Sequence, residues 1–197
     1  MLVVSCDTSL SKFAVIIWRD NFPVAWKVFR TGEEKCKKKL NNVKYFSDIK
    51  EQINWLSEEV IDYIKIHGKP DKVYLEGLAM NAMGNQAKNL AMIYGVFVDK
   101  LHKDLNIDFK YIVPIPPTQV KAVARTFLDE SEQHILVDKK KKTVKMDKNK
   151  MMELAERLHP EILEGYVKSA ASEKAGKEDL SDAILVYYTG KHLGDET

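Results

Sequence analysis

The sequence predicts an α/β fold: a mixed five-stranded sheet, three antiparallel strands followed by parallel ones, with helices on both faces. Three observations carry this. Apolar runs at residues 2–6, 13–18 and 24–29 follow one another across short polar gaps, as an antiparallel meander does. After residue 47, helix-period and strand-period segments alternate, the pattern of parallel strands joined by crossover helices. The 197 residues suffice for one domain with a real core, and no repeat or linker divides them.

Each element has a local reason. Leu2, Val3, Val4, Ser5 and Cys6 form a buried strand that ends at Asp7. Residues 9–12 connect it to the second strand, and residues 19–23, with Asp20 and Asn21 as turn formers, connect the second to the third. Residues 31–44 are polar and lysine-rich and read as loop. Ser47 is the expected cap of a helix whose apolar face is Ile49, Ile53, Leu56, Val60 and Ile64, ended by Gly68 and Pro70. Residues 72–76 make the fourth strand, ending at Glu76, and a loop at 81–85 follows. Ala87, Leu90, Tyr94, Phe97 and Leu101 mark a second amphipathic helix. Gly95 inside it suggests close packing, and Ile93, Val96 and Val98 suggest a second apolar face.

Residues 110–114 form the fifth strand, ended by Pro116 and Pro117, with Thr118 capping a helix to about residue 127. Residues 131–144 read as a loop or a hairpin. Asp147 caps a helix to His159, stopped by Pro160, and Gly176 is the hinge into a last helix to about residue 193.

Composition excludes several classes. No apolar run is long enough to span a membrane, and no secretory leader is legible at the N-terminus. Cys6 and Cys36 make no disulfide framework, so the expected location is a reducing cytoplasm. The net charge of +2 hides a pattern. Residues 27–50 hold eight basic and three acidic residues, and residues 110–150 hold ten and five, leaving the remainder acidic. Basic surfaces around an acidic centre suit a polyanion handled by a metal site.

The acids point to that centre. Strands disfavour Asp and Glu, yet Asp7 and Glu76 each close one. Asp179 and Asp182 share one face at the start of the last helix. Each alone has an ordinary explanation, as turn former, solvated strand end or helix cap. Together they suggest convergence on one point, where carboxylates repel one another unless a cation sits among them. Hard divalent ions with oxygen ligands, Mg²⁺ first, answer that need.

This ordered set resembles the RuvC-type Holliday junction resolvases of the ribonuclease H-like nuclease superfamily, over nearly the whole chain. Asp7 after strand one, Glu76-Gly77-Leu78-Ala79-Met80 after strand four, Asn81 and Gln86 in the loop beyond, and Asp179-x-x-Asp182 carry the likeness. So does the strand, proline turn and helix from Pro114 to Lys121. The resemblance implies two Mg²⁺ ions per site, about 4 Å apart with Mn²⁺ substituting, held by Asp7, Glu76, Asp179 and Asp182 as the catalytic set. It further implies a homodimer cutting a four-way junction or other branched DNA by paired nicks, leaving 5′-phosphate and 3′-hydroxyl ends.

Lys121 is expected nearest the phosphate, Lys145 and Lys148 resemble basic positions before the next helix, and Lys139 and Lys140 are candidates for backbone contacts. Met80 and Asn81 are expected near the junction centre, Met80 as a wedge between bases. Lys177 is the only base expected beside the acid pair. His134 and His159 lack metal-ligand spacing. The chain departs from the family where Thr8, Ser9, Leu10 and Ser11 replace an early glycine and where the run Lys139 to Lys142 is extra, as in a divergent, phage-type bacterial member. Alternatives are a nuclease acting on RNA–DNA hybrid or RNA, or a catalytically silent junction binder. A sugar-kinase-like ATPase would need glycine-rich phosphate loops, which the segment after Asp7 lacks.

Overall fold

The computed structural model describes residues 1–78, 84–137, 140–169 and 176–195. The chain runs β1 (Leu2–Asp7), β2 (Lys12–Arg19), β3 (Phe22–Glu33), β4 (Lys44–Phe46), α1 (Ile49–His67) and β5 (Lys72–Glu76). It continues through α2 (Gly84–Leu105), a 3-10 turn (Phe109–Tyr111), β6 (Ile112–Ile115) and α3 (Pro117–Thr126). A hairpin of β7 (His134–Val137) and β8 (Lys140–Thr143) precedes α4 (Lys148–Leu158), α5 (Pro160–Ser169) and α6 (Lys177–Asp195).

Six strands form one mixed sheet in the order β4-β3-β2-β1-β5-β6. β1, β2 and β3 are antiparallel neighbours, whereas β5, β6 and β4 each join in parallel. The two-residue turn between β2 and β3 places Asp20 and Asn21 at φ 51° and 73°, a conformation these short polar residues tolerate. Pro23, with no N–H to give, pairs opposite Trp18 where the register shifts by a bulge.

Strand alternation divides the core. Val3, Ala14, Ile16 and Trp18 face one side, under α3 to α6, while Val4, Cys6, Phe13, Val15 and Ile17 face the other, under α1 and α2. Helices thus cover both faces, which is why β1 and β2 are buried along almost their full length. The second face of the core is closed by Ile93, Phe97, Leu101 and Leu105 of α2, with Phe97 edge-on to Phe13 at 4.8 Å.

Several local expectations are corrected. Part of segment 31–44 is strand: β3 continues to Glu33, and Lys44 to Phe46 adds a parallel sixth strand. Its three residues are too few to show an alternation, and it lies against Gly32, where a Cβ would come within 2.8 Å of the Tyr45 ring. Asp48, not Ser47, caps α1, accepting from the amides of Lys50 and Glu51. Asp48→Ala is expected to cost about 1 kcal/mol, read as a fall in melting temperature of roughly 2–4 °C.

Gly95 is exposed, with nothing among the described residues within 4 Å of an added Cβ, so it is not a close-packing position among them. Ile93, expected on an outer face, is buried; Val96 and Val98 are only partly covered. Pro116 rather than Thr118 precedes α3, without a side-chain cap. Pro160 does stop α4, but it also opens α5, a helix the sequence reading did not separate. No helix among the described residues is long and apolar enough to cross a membrane.

Candidate functional site

Asp7 and Glu76 are brought together by strand pairing. β1 and β5 run parallel with Cys6 beside Leu75, so the next residue on each, Asp7 and Glu76, emerges at the same carboxyl-terminal edge. In open α/β sheets such edges are where ligands bind. α6 supplies the other two acids. Its buried stripe of Leu180, Ala183, Ile184 and Tyr187 packs on the sheet, and the Tyr187 ring stacks on Trp18 at 3.8 Å. Gly190 lets the helix lie directly on Tyr74, whose ring comes within 2.4 Å of where a Cβ would sit. This docking sets the first turns of α6, with Asp179 and Asp182, beside the strand ends.

The four carboxylates sense one another. Burial raises the Asp7 carboxyl well above the ordinary range, and the charge of Glu76, a hydrogen bond with Glu76, and the charges of Asp182 and Asp179 add to it. Burial likewise raises Glu76, partly offset by its hydrogen bond with Asp7 and by the charge of Lys121. Asp182 is pushed up to about 7 by burial, then by Glu76 and Asp179. Burial also raises Asp179, against the pull of Lys12.

Cations ring the acids unevenly. Lys121, exposed on α3, acts on Glu76 as expected for the base nearest the site. Lys148 lies 3.0 Å from Glu178 and acts on Asp182. Lys145 is exposed three residues upstream, and no contact among the described residues joins it to the acids. Lys177 does not serve the site: its ammonium is 3.0 Å from Glu156. The base that sequence reasoning missed is Lys12, whose ammonium is 3.7 Å from Asp179 Oδ2. Nothing in the linear sequence links a residue at the start of β2 to the last helix; only the fold does.

The turn of residues 8–11, which has no glycine, is held from outside. Thr31 donates its hydroxyl to the Leu10 carbonyl, and Gln52 Nε2 donates to Thr31 Oγ1 at 2.7 Å and to the Leu10 carbonyl at 3.3 Å. None of residues 8–11 has a positive φ, so no glycine is required. A groove of about 1000 Å³ opens from Asp7 and Glu76 along this turn, past Glu33, Phe46 and Asp48. Lys140 lies on β8 in a two-stranded sheet apart from the main one. Met80, Asn81 and Lys139 lie outside the described residues. His159 is structural, with Nδ1 2.7 Å from Glu161 Oε1 and Nε2 2.9 Å from the Tyr188 hydroxyl.

The donor set suits a hard divalent cation. It is all carboxylate oxygen, it is buried enough to raise every member, and Asp179 Oδ2 is buried without a hydrogen-bond partner. As the side chains stand, no three His, Cys, Asp or Glu among the described residues surround one point closely enough to hold an ion. Asp7 and Glu76 instead share a hydrogen bond and Asp179 faces Lys12. An ion would have to draw the carboxylates inward.

No protein-family model matches the sequence, and no curated protein does so significantly. Among solved structures the chain is similar to Thermus thermophilus RuvC in complex with a Holliday junction substrate, with TM-score 0.60 and 11% identity, covering 100% of this chain and 96% of that one. A second Thermus thermophilus RuvC structure matches at TM-score 0.60 and 11% identity over 98% and 96%. Ydc2, the yeast mitochondrial Holliday junction resolvase, matches at TM-score 0.52 and 11% identity over 98% and 83%. The fold is therefore the RuvC-like, ribonuclease H-like one.

Proposed function

We propose that this chain is a divalent-metal-dependent endonuclease that cuts four-way and other branched DNA by paired nicks, leaving 5′-phosphate and 3′-hydroxyl ends. The observation that carries the reading is the meeting of Asp7, Glu76, Asp179 and Asp182 at one sheet edge, in a fold shared with junction resolvases. Carboxylates gathered this way gain nothing for a protein that merely binds phosphates; they repel the ligand unless a cation intervenes.

Asp7, the most central and most buried of the four, would hold ions jointly with Glu76 on one side and with Asp179 and Asp182 on the other. When bound, two Mg²⁺ ions, or Mn²⁺ in their place, supply an activated water and charge stabilisation at the leaving 3′-oxygen. Lys121 and Lys148 flank the acids and would orient the phosphate backbone. Lys145 would add positive charge outside the centre; by sequence, Lys139 and Lys140 are further candidates for backbone contacts, and Met80 and Asn81 follow Glu76 closely enough to meet the junction's open bases. A homodimer supplies the two sites that paired cuts need, and the outer side of α2, with Gly95 open and Val96 and Val98 half-covered, is the face available for it. The two unpaired cysteines suit a reducing cytoplasm, that of a bacterium or of a phage's host.

The test is cleavage of an immobile four-way junction, a flap, a linear duplex and an RNA–DNA hybrid, in Mg²⁺ and in EDTA. Metal-dependent paired nicks in the junction are expected, with the linear duplex left largely intact. Cutting of the hybrid alone would assign a ribonuclease, and tight junction binding without cutting in Mg²⁺ or Mn²⁺ would assign a silent binder.

A further inference from the structure

One ion pair in the acid cluster has no part in the proposed reaction. Lys12 opens β2, beyond the end of β1, and reaches to 3.7 Å from Asp179 Oδ2. That oxygen is buried and accepts no hydrogen bond. Among the described residues, the other lysines beside the first turns of α6 have nearer partners: Lys148 is 3.0 Å from Glu178, though its charge also reaches Asp179 and Asp182, and Lys177 is 3.0 Å from Glu156. Lys12 is thus, among the described residues, the ammonium within ion-pair reach of a proposed metal-ligand oxygen. We propose that Lys12 is a built-in counter-ion for the metal-free centre, its ammonium standing at Asp179 in a divalent ion's place, so that the ion must displace it to load. The proposal rests on the metal-nuclease reading above and adds a control on how readily the site fills.

The pair has the character of a placeholder. At 3.7 Å it is longer than a charge-assisted hydrogen bond, which closes to about 2.7–2.9 Å. The lysine side chain is 36% exposed and the aspartate 14%, so one partner can swing into water while the other stays. A pair of this kind contributes little and is easily given up. Its charge nonetheless matters where it stands: it draws Asp179 down against the burial that raises it, and it adds to the stronger pull of Lys148 on Glu178. A +1 charge beside the ligands also opposes the approach of a second cation. The same lysine therefore steadies the empty site and weakens its hold on metal.

The experiment is Mn²⁺ binding to the full chain, without DNA, followed by electron paramagnetic resonance of the free ion. Wild type, Lys12→Met and Lys12→Arg are compared, with melting temperatures in EDTA and in Mn²⁺. Lys12→Met is expected to bind Mn²⁺ roughly fivefold more tightly, the factor set by a partly exposed ion pair no longer competing. It should melt lower than wild type in EDTA and gain more from Mn²⁺. Lys12→Arg keeps the charge and should bind close to wild type. A lysine with a merely structural role would lower the melting temperature without tightening metal. Unchanged or weaker Mn²⁺ binding in Lys12→Met, with wild type binding normally, overturns the counter-ion role alone. No Mn²⁺ binding by either protein overturns the metal centre and this role with it.

Discussion

Asp7→Asn is expected to reduce junction cleavage on the order of 10³-fold, the scale of losing a preorganised electrostatic group at the reacting centre. Asn keeps the size of the side chain but removes the charge that would hold cations at the middle of the cluster. The fold should survive, since Asp7 ends β1 and its backbone pairing with Ala14 is unaffected by the change. DNA binding should hold or tighten, because one negative charge facing phosphate has gone. Cleavage rate at saturating enzyme and binding by gel shift separate the two effects. A variant that cuts at near wild-type rate would remove Asp7 from the centre.

The metal-free protein is expected to lose stability as pH rises from about 4 to above 7, opposite to the behaviour of a salt-bridged carboxylate. The sign follows from burial. Asp182 is pushed up to about 7 in the folded state, whereas an unfolded Asp titrates near 4. Between those values the folded state binds more protons, so raising pH favours unfolding. Asp182 alone accounts for up to about 4 kcal/mol across that window, and Asp7, Glu76 and Asp179 shift in the same direction. Glu132, held at about 2 beside Arg157, contributes in the opposite direction, but mostly below about pH 5. Thermal melts in EDTA from pH 4.5 to 8 should show the decline. Asp182→Asn should flatten it and melt higher than wild type at pH 8, and Mg²⁺ should reverse it in wild type. A profile that rises through this window would contradict the buried, mutually repelling cluster.

What the sequence made legible was what strand ends and helix faces encode. The strand-end placement of Asp7 and Glu76 was readable from the apolar runs they close, and the shared helix face of Asp179 and Asp182 from their i,i+3 spacing. The second strand was readable from the apolar run at residues 13–18. The misses have physical causes. β4 is three residues long, with no period to read, and owes its place to Gly32 accepting the Tyr45 ring. Pro160 ends one helix and opens another, and the stop signal hid the start. Asp48 competes with Ser47 for the same cap, and one residue of offset decides it. Lys12 was invisible because its partner comes from the far end of the chain. So was the support for the turn after Asp7, where Thr31 and Gln52 hold the Leu10 carbonyl from two other elements.

The hydrogen bonds to Leu10 show how a turn of Thr8, Ser9, Leu10 and Ser11 serves without glycine. The lysine run is partly β8, paired to β7 in a separate hairpin whose base is tied down by Arg125 donating to the Val144 carbonyl at 3.0 Å. Neither segment displaces the strand-end positions of Asp7 and Glu76.

The most direct measurement is anomalous scattering from crystals of the protein soaked in Mn²⁺. The account predicts a peak about 2 Å from carboxylate oxygens of Asp7 and of at least two among Glu76, Asp179 and Asp182, with the Lys12 ammonium displaced from Asp179. Saturating Mn²⁺ with no peak among these four acids, or with ions only elsewhere on the surface, would contradict it.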